Sequence, residues 1–143
     1  MADNSDCIFC RIVRKDLPCS VVFEDEVILA FMDIGPLAEG HLLVIPKPHF
    51  ENVSDLPADL MAAVAAHFPS LGRALMAVTG ATGFNILANE GAVAGQEVGH
   101  VHFHLIPRAD GDGLGYRWNP TNYPPGRMDE LATKYRKALG EGA

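Results

Sequence analysis

Apolar residues fall in short runs along the first half of the chain, and Gly, Pro and acidic residues punctuate them. "SVVFED" (20–25) and "VILAFMD" (27–33) are rich in β-branched and aromatic residues. They predict two strands of a hairpin, with Glu24-Asp25-Glu26 as its turn. "IGPLAEG" (34–40) predicts a loop into a third strand, "HLLVIP" (41–46), ended by Pro46 and Pro48. The period then changes. In "SDLPADLMAAVAAHFPSLGRALMAV" (54–78) Leu60, Val64, Phe68, Leu71 and Leu75 recur at helical spacing. Ser54 or Asp55 can cap that helix, Pro57 suits its first turn, and Pro69 should kink or break it. "FNILAN" (84–89) and "VGHVHFHLIP" (98–107) predict two more strands, and "MDELATKYRKAL" (128–139) a short last helix. Strands, helix, strands and helix with short strand links predict an α+β fold around an antiparallel sheet.

Within "GHVHFHLIPR" (99–108) the histidines His100, His102 and His104 alternate with Val101, Phe103 and Leu105. On a strand, alternate residues share a face about 6.5–7 Å apart. One face would anchor the segment in the core while the other presents imidazoles. Imidazole is a nucleophile, an acid or base, a phosphate donor or a metal ligand. The row is therefore open to zinc binding, to phosphoryl chemistry, or to a polar strand face without chemistry. The glycine-rich "NEGAVAGQEVG" (89–99) just before it favours phosphate. Gly91, Gly95 and Gly99 let backbone N–H groups approach an anion, and Asn89 and Gln96 supply amide donors.

With 143 residues, 48% of them hydrophobic and 20% charged, the chain is expected to form one domain with a proper core. Its net charge of −7 disfavours a nucleic acid polymer as partner but not a small anionic ligand. No unbroken run of 18 apolar residues is present, and the N-terminal "MADNSD" lacks the basic start and apolar stretch of a secretory signal. Cys7, Cys10 and Cys19 are an odd number in a chain large enough to fold without disulfides, so a cytoplasmic location and no membrane partner are expected. Cys7 and Cys10 form a C-x-x-C pair. By itself this is open to a redox role, to two small buried residues, or to half of a tetrahedral zinc set.

His-Val-His-Phe-His-Leu-Ile resembles the signature of the histidine triad family of nucleotide hydrolases and transferases, in which three histidines alternate with apolar residues. The resemblance extends through "CIFCRIVRKDLP" (7–18), "FEDEVILAFMDIGPLAEGHLLVIPKPH" (23–49) and "NEGAVAGQEVGHVHFHLIPR" (89–108), close to the small bacterial, Hint-like branch. It implies an antiparallel sheet of about five strands with one long and one short helix, and a homodimer that joins two sheets. Residues 1–143 would form one domain with its core at about 7–118 and a C-terminal loop and helix at 119–139. The resemblance implies that His102 attacks the α-phosphate of a nucleotide and that a nucleotidyl-histidine intermediate is then hydrolysed. His104 would donate to phosphate oxygens, the His100 carbonyl would fix the His102 tautomer, and His41 would be a fourth histidine of the site. Ile8, Phe9, Ile12, Phe31 and Ile34 match positions that sandwich the base, and Asp33 the carboxylate for the ribose hydroxyls. Asn89, Gly95, Gln96 and Glu97 would face the phosphate.

Many phosphoramidase members carry Ser or Thr where this chain has Glu97, which bears on the leaving group. A carboxylate near phosphate is repulsive unless protonated or turned to orient a histidine, and the alternative is a Glu97 that points to solvent. The resemblance also implies a structural zinc held by Cys7, Cys10, His49 and His100, with no catalytic metal needed. The expected activity is hydrolysis of purine nucleoside 5′-phosphoramidates or related AMP or GMP conjugates. A dinucleoside polyphosphate hydrolase is the nearest alternative, and Trp118 and the tail after Pro107 could shape that choice. From other classes, a nucleotide-binding interaction module or a zinc-stabilised structural domain would use the same residues without turnover.

Overall fold

The computed structural model describes residues 6–114 and 121–142. Two compact units divide the chain, Met1–Gly113 and Leu114–Ala143. The first holds a five-stranded antiparallel sheet of order β1-β2-β3-β5-β4. Its strands are β1 (Val21–Glu24), β2 (Ile28–Met32), β3 (Leu42–Pro46), β4 (Gly83–Leu87) and β5 (Phe103–Arg108). The first turn forms as expected from its acidic residues. Asp25 Oδ1 accepts from the N–H groups of Val27 and Ile28, both at 2.8 Å, and so closes the hairpin.

β2 and β3 read as continuous apolar runs because both faces of the sheet are covered. Ile28, Ala30, Leu42 and Val44 pack on one side with Val101, Phe103 and Leu105 under the helical layer that supplies Val64, Leu71 and Leu75. Leu29, Phe31, Leu43 and Ile45 point the other way, toward Phe9 and Ile12 of the short helix α1 (Ile8–Val13). Alternate side chains of these apolar runs therefore build two cores, and α1 packs on the second.

The expected long helix is divided. A 3-10 turn (Val53–Asp55) precedes α2 (Ala58–Ala65) and α3 (Phe68–Thr79), with Pro69 in the first turn of α3. Proline lacks an N–H and would clash with the preceding turn, so the break falls just ahead of it. Ser54 and Asp55 do not cap α2, which starts after Pro57 with no side-chain cap. Ser54 instead gives its N–H and hydroxyl to the Glu90 carboxylate at 2.8 and 2.7 Å, tying this turn to the glycine-rich loop. Ala58–Thr79 is long and apolar enough to cross a membrane by length and composition alone. Here Val64, Leu71 and Leu75 of that stretch belong to the core against the sheet. Gly72 shows how close the approach is: a Cβ there would sit 2.2 Å from Phe84 Cζ of β4.

In the second unit, α4 (Arg127–Gly142) is longer than the helix expected at 128–139. Glu130 pairs with Arg127 and Lys134, one turn away on either side. Trp118 lies outside the described residues.

Candidate active site

The histidine row departs from the strand expected over 98–107. The β5 ladder begins at Phe103, so only His104 of the three lies in it. β4 ends here, and β3, though it continues to Pro46, gives its last two residues to β2 alone. β3 pairs with β5 no further than Val44↔Phe103, and the last β4 partner is Leu87, opposite His104. Outside the ladder, Val101 N–H donates to the Phe50 carbonyl at 2.8 Å. The alternation of faces survives, with Val101, Phe103 and Leu105 in the helix-side core.

Each ring of the catalytic-type cluster has one nitrogen already committed. His102 Nδ1 donates to the His100 carbonyl at 2.7 Å, which leaves Nε2 with its lone pair. His41 is 1% exposed, and burial pushes its pKa down, against the opposing pull of Asp33. Its Nδ1 accepts from Leu37 N–H at 3.0 Å, so its proton resides on Nε2. That Nε2 lies 2.9 Å from His104 Nδ1 and 3.5 Å from Asp33 Oδ2. His104 Nδ1 therefore accepts, and its own N–H is on Nε2. Burial first, then His102 and His41, push the His104 pKa down to about 4, so the ring is neutral at neutral pH. A lone pair on one ring and an N–H on the next thus stand side by side, with centroids 5.1 Å apart.

These two rings open on a cavity of about 620 Å³. Of the residues expected there, Ile8, Phe9, Ile12, Phe31, Asp33, Ile34, Asn89, Gly95, Glu97, His102 and His104 line it. Phe9 meets the His102 ring edge-on at 5.2 Å and so braces it. Ile34 is 98% exposed and Ile8 48%, an apolar surface left open at the cavity. Leu17, Pro18, Cys19, Met32, Gly35, Leu43 and Val98 also line it, and sequence reasoning missed them. Leu43 follows from the alternation in β3, but nothing local marks Cys19 or Val98.

Two expected residues are placed elsewhere. His41 is behind His104 rather than on the cavity wall, and acts on it through the hydrogen bond above. Gln96 turns away from the cavity. Its Oε1 accepts from Gly91 N–H at 2.8 Å, and its Nε2 donates to the carbonyls of Glu51 and Val98 at 2.8 and 3.1 Å. The loop also spends other polar groups on itself. Asn89 Nδ2 reaches the Gly95 carbonyl at 3.4 Å, and Gly95 N–H bonds Ala92 O at 3.0 Å. Gly91 and Gly95 have φ of 88° and 97°, which the tight turn around Ala92–Ala94 requires. Glycine here makes a compact loop, not an open cradle of free N–H groups.

A second cluster lies on the other side of His100. Cys7 Sγ is 3.4 Å from His100 Nδ1, and Cys10 Sγ is 3.3 Å from His49 Nδ1 and 3.6 Å from His100 Nδ1. The two Nδ1 atoms are 3.2 Å apart. His100 Nε2 donates to the Pro46 carbonyl at 2.8 Å, so its Nδ1 presents a lone pair. All four ligand atoms lie within 4.8 Å of one another and could hold a metal ion. Cys7 sits at the start of α1 and accepts from Cys10 N–H, so the C-x-x-C turn directs both sulfurs to one point. His67, between α2 and α3, pairs with Asp25 at 3.0 Å and ties the helical layer to the β1–β2 turn.

The sequence model of the HIT domain family matches residues 14–111. The chain belongs to the HIT family. Among HIT proteins, it is 40% identical over 136 residues to the Schizosaccharomyces pombe protein named adenosine 5′-monophosphoramidase hnt1, covering 94% of this chain and 93% of that one. It is 41% identical over 111 residues to Arabidopsis thaliana adenylylsulfatase HINT3, covering 78% of this chain but only 56% of that longer relative. The solved structure of SMU.412c from Streptococcus mutans UA159 superposes with a TM-score of 0.93 at 40% identity, covering 96% of this chain and 88% of that one. A zinc-bound histidine triad protein from Mycobacterium smegmatis gives 0.72 at 38% identity, covering 93% and 96%.

Proposed function

We propose that this HIT protein is a nucleotide hydrolase that cleaves the α-phosphate linkage of purine nucleoside 5′-phosphoramidates and related conjugates. The observation that carries this reading is the fixed proton placement. His102 Nε2 has a lone pair because Nδ1 is tied to the His100 carbonyl, and His104 has an N–H because His41 occupies its Nδ1. His102 Nε2 attacks phosphorus, a P–Nε2 bond forms, and the P–N bond to the leaving group breaks. The leaving amine departs with the bonding pair and takes up a proton. Water then attacks phosphorus and gives up a proton, the P–Nε2 bond breaks with its pair returning to Nε2, and AMP or GMP is released. His104 Nε2–H donates to the phosphate oxygens on which charge builds. Asp33 would accept from the ribose hydroxyls, and the open apolar wall of Ile8, Phe9 and Ile34 would take the base.

The S. pombe relative's phosphoramidase name supports this choice of substrate. AMP release from adenosine 5′-phosphoramidate by the wild type, and none from His102→Ala, is the expected result. Undiminished release from His102→Ala would rule the mechanism out.

The metal-ligand set fits zinc. Bonds of about 2.3 Å to sulfur and about 2.0–2.1 Å to nitrogen in a tetrahedron put N···N at about 3.3 Å and N···S at about 3.6 Å. The observed 3.2 Å and 3.3–3.6 Å agree. With all four places taken by Cys7, Cys10, His49 and His100, zinc would be structural and would pin α1 to the histidine segment. Cys7, Cys10 and Cys19 form no disulfide, which suits a reducing cytoplasm. A homodimer joined through its sheets completes the proposal. β1 and β4 are the open edges of the sheet, and β4 exposes Ile86. Light scattering behind a sizing column tests it, with twice the chain mass expected.

A further inference from the structure

The cavity wall carries Asp33 and Glu97 as its only carboxylates and, among the described residues, no lysine or arginine. Asp33 is already engaged, with Oδ1 accepting from Gly35 N–H at 2.8 Å and Oδ2 facing His41. Glu97 is different. It is exposed at the cavity and has no hydrogen-bond or ion-pair partner among the described residues. Its backbone is nonetheless held on both sides. Gln96 is bonded to the Glu51 and Val98 carbonyls, and Val98 packs against the core under α1. A free carboxylate on a fixed loop thus faces the same space as the His102 and His104 rings, across from the apolar wall of α1 and β2.

We propose that Glu97 sets the preference for the leaving group, favouring a cationic amine and disfavouring an anionic group or a longer phosphate chain. The proposal rests on the hydrolase reading above and extends it to the other half of the substrate. A substrate with one phosphate and an ammonium-bearing leaving group brings the carboxylate its missing counter-ion. A polyphosphate or an acidic leaving group brings more negative charge to a wall without a basic side chain, on a chain of net charge −7. A partly solvated charge pair changes an equilibrium by about two- to fivefold in either direction. The spread between cationic and anionic leaving groups is then about tenfold.

Three adenosine 5′-phosphoramidates of similar size test this, made with 1,3-diaminopropane (cationic), propylamine (neutral) and β-alanine (anionic). For the wild type, kcat/KM should fall in that order across about tenfold, and added salt should compress the range. Glu97→Gln should bring the cationic-to-anionic ratio to within about twofold, and Glu97→Lys should invert it. An unchanged ratio in both variants, or equal wild-type rates on all three, overturns the proposal while leaving the hydrolase reading intact. Turnover of none of the three by wild-type protein overturns that reading, and this proposal with it.

Discussion

Two histidine clusters meet at residues 100–104 and differ in how their ring nitrogens are disposed. Around Cys7, Cys10, His49 and His100, four ligand atoms converge and two Nδ1 atoms stand 3.2 Å apart, an arrangement that could hold a metal ion. Around His41, His102 and His104, donors and acceptors alternate from Leu37 N–H to His104, and no cation is needed to balance them. The residue type and the segment are the same. What separates the proposed metal ligand from the proposed nucleophile is which ring nitrogen a carbonyl takes: Nε2 of His100 by Pro46, Nδ1 of His102 by His100.

The sharpest way to break the comparison is His102→Ala. It should lower kcat by about 10³-fold or more while costing less stability than loss of a metal ligand, since the proposed nucleophile belongs to the second cluster only. Equal loss of stability and activity would mean that the two clusters are one unit. Cys10→Ala strikes the first cluster and leaves three ligands around its centre. Its melting temperature should drop by about 10 °C or more, with metal content by mass spectrometry falling in step. A variant that melts with the wild type would show that no bound metal contributes to the fold.

His41→Gln separates the clusters at a finer grain. It removes the ring that holds His104 Nδ1, and kcat should fall by about 10- to 100-fold with KM less affected. A rise in KM alone would assign His41 to binding.

The smallest effect is on pH. His104 is held at about 4 by burial, helped by His102 and His41 and opposed by Asp33. The unfolded chain takes up that proton first, near 6.5, so the contribution is complete above this value and is lost as pH falls toward 4. The urea midpoint of His104→Gln should therefore fall less than that of wild type between about pH 7 and pH 5. Parallel slopes would exclude the effect.

Much of this was legible before any coordinates, because spacing carries geometry. β-branched and aromatic content marked "VILAFMD" and "HLLVIP" as strands, and Pro69 marked the break in the helix. The C-x-x-C pair, His49 and His100 are far apart in sequence, and it was the family resemblance rather than spacing that grouped them. What stayed hidden depends on partners distant in the chain. Ser54 looks like a helix cap, yet Glu90 offers it two strong acceptors. Gln96 looks like a phosphate donor, yet its amide closes its own loop. The ladder stops at Phe103, where β4 has ended and β3 pairs onward with β2 alone, which no property of "GHVHF" reveals.

The 2.7 Å contact from His102 to the carbonyl of His100 has one more consequence. A carbonyl belongs to every residue, so mutation at position 100 cannot delete it while the backbone path is kept. The side chain there serves instead the proposed metal cluster, the Pro46 carbonyl and the edge contact with Phe9. A lineage could exchange that cluster for an apolar plug, or for a different brace on α1, and pass on the nucleophile's orientation unaltered. In this chain the brace and the chemistry share a residue but not an inheritance.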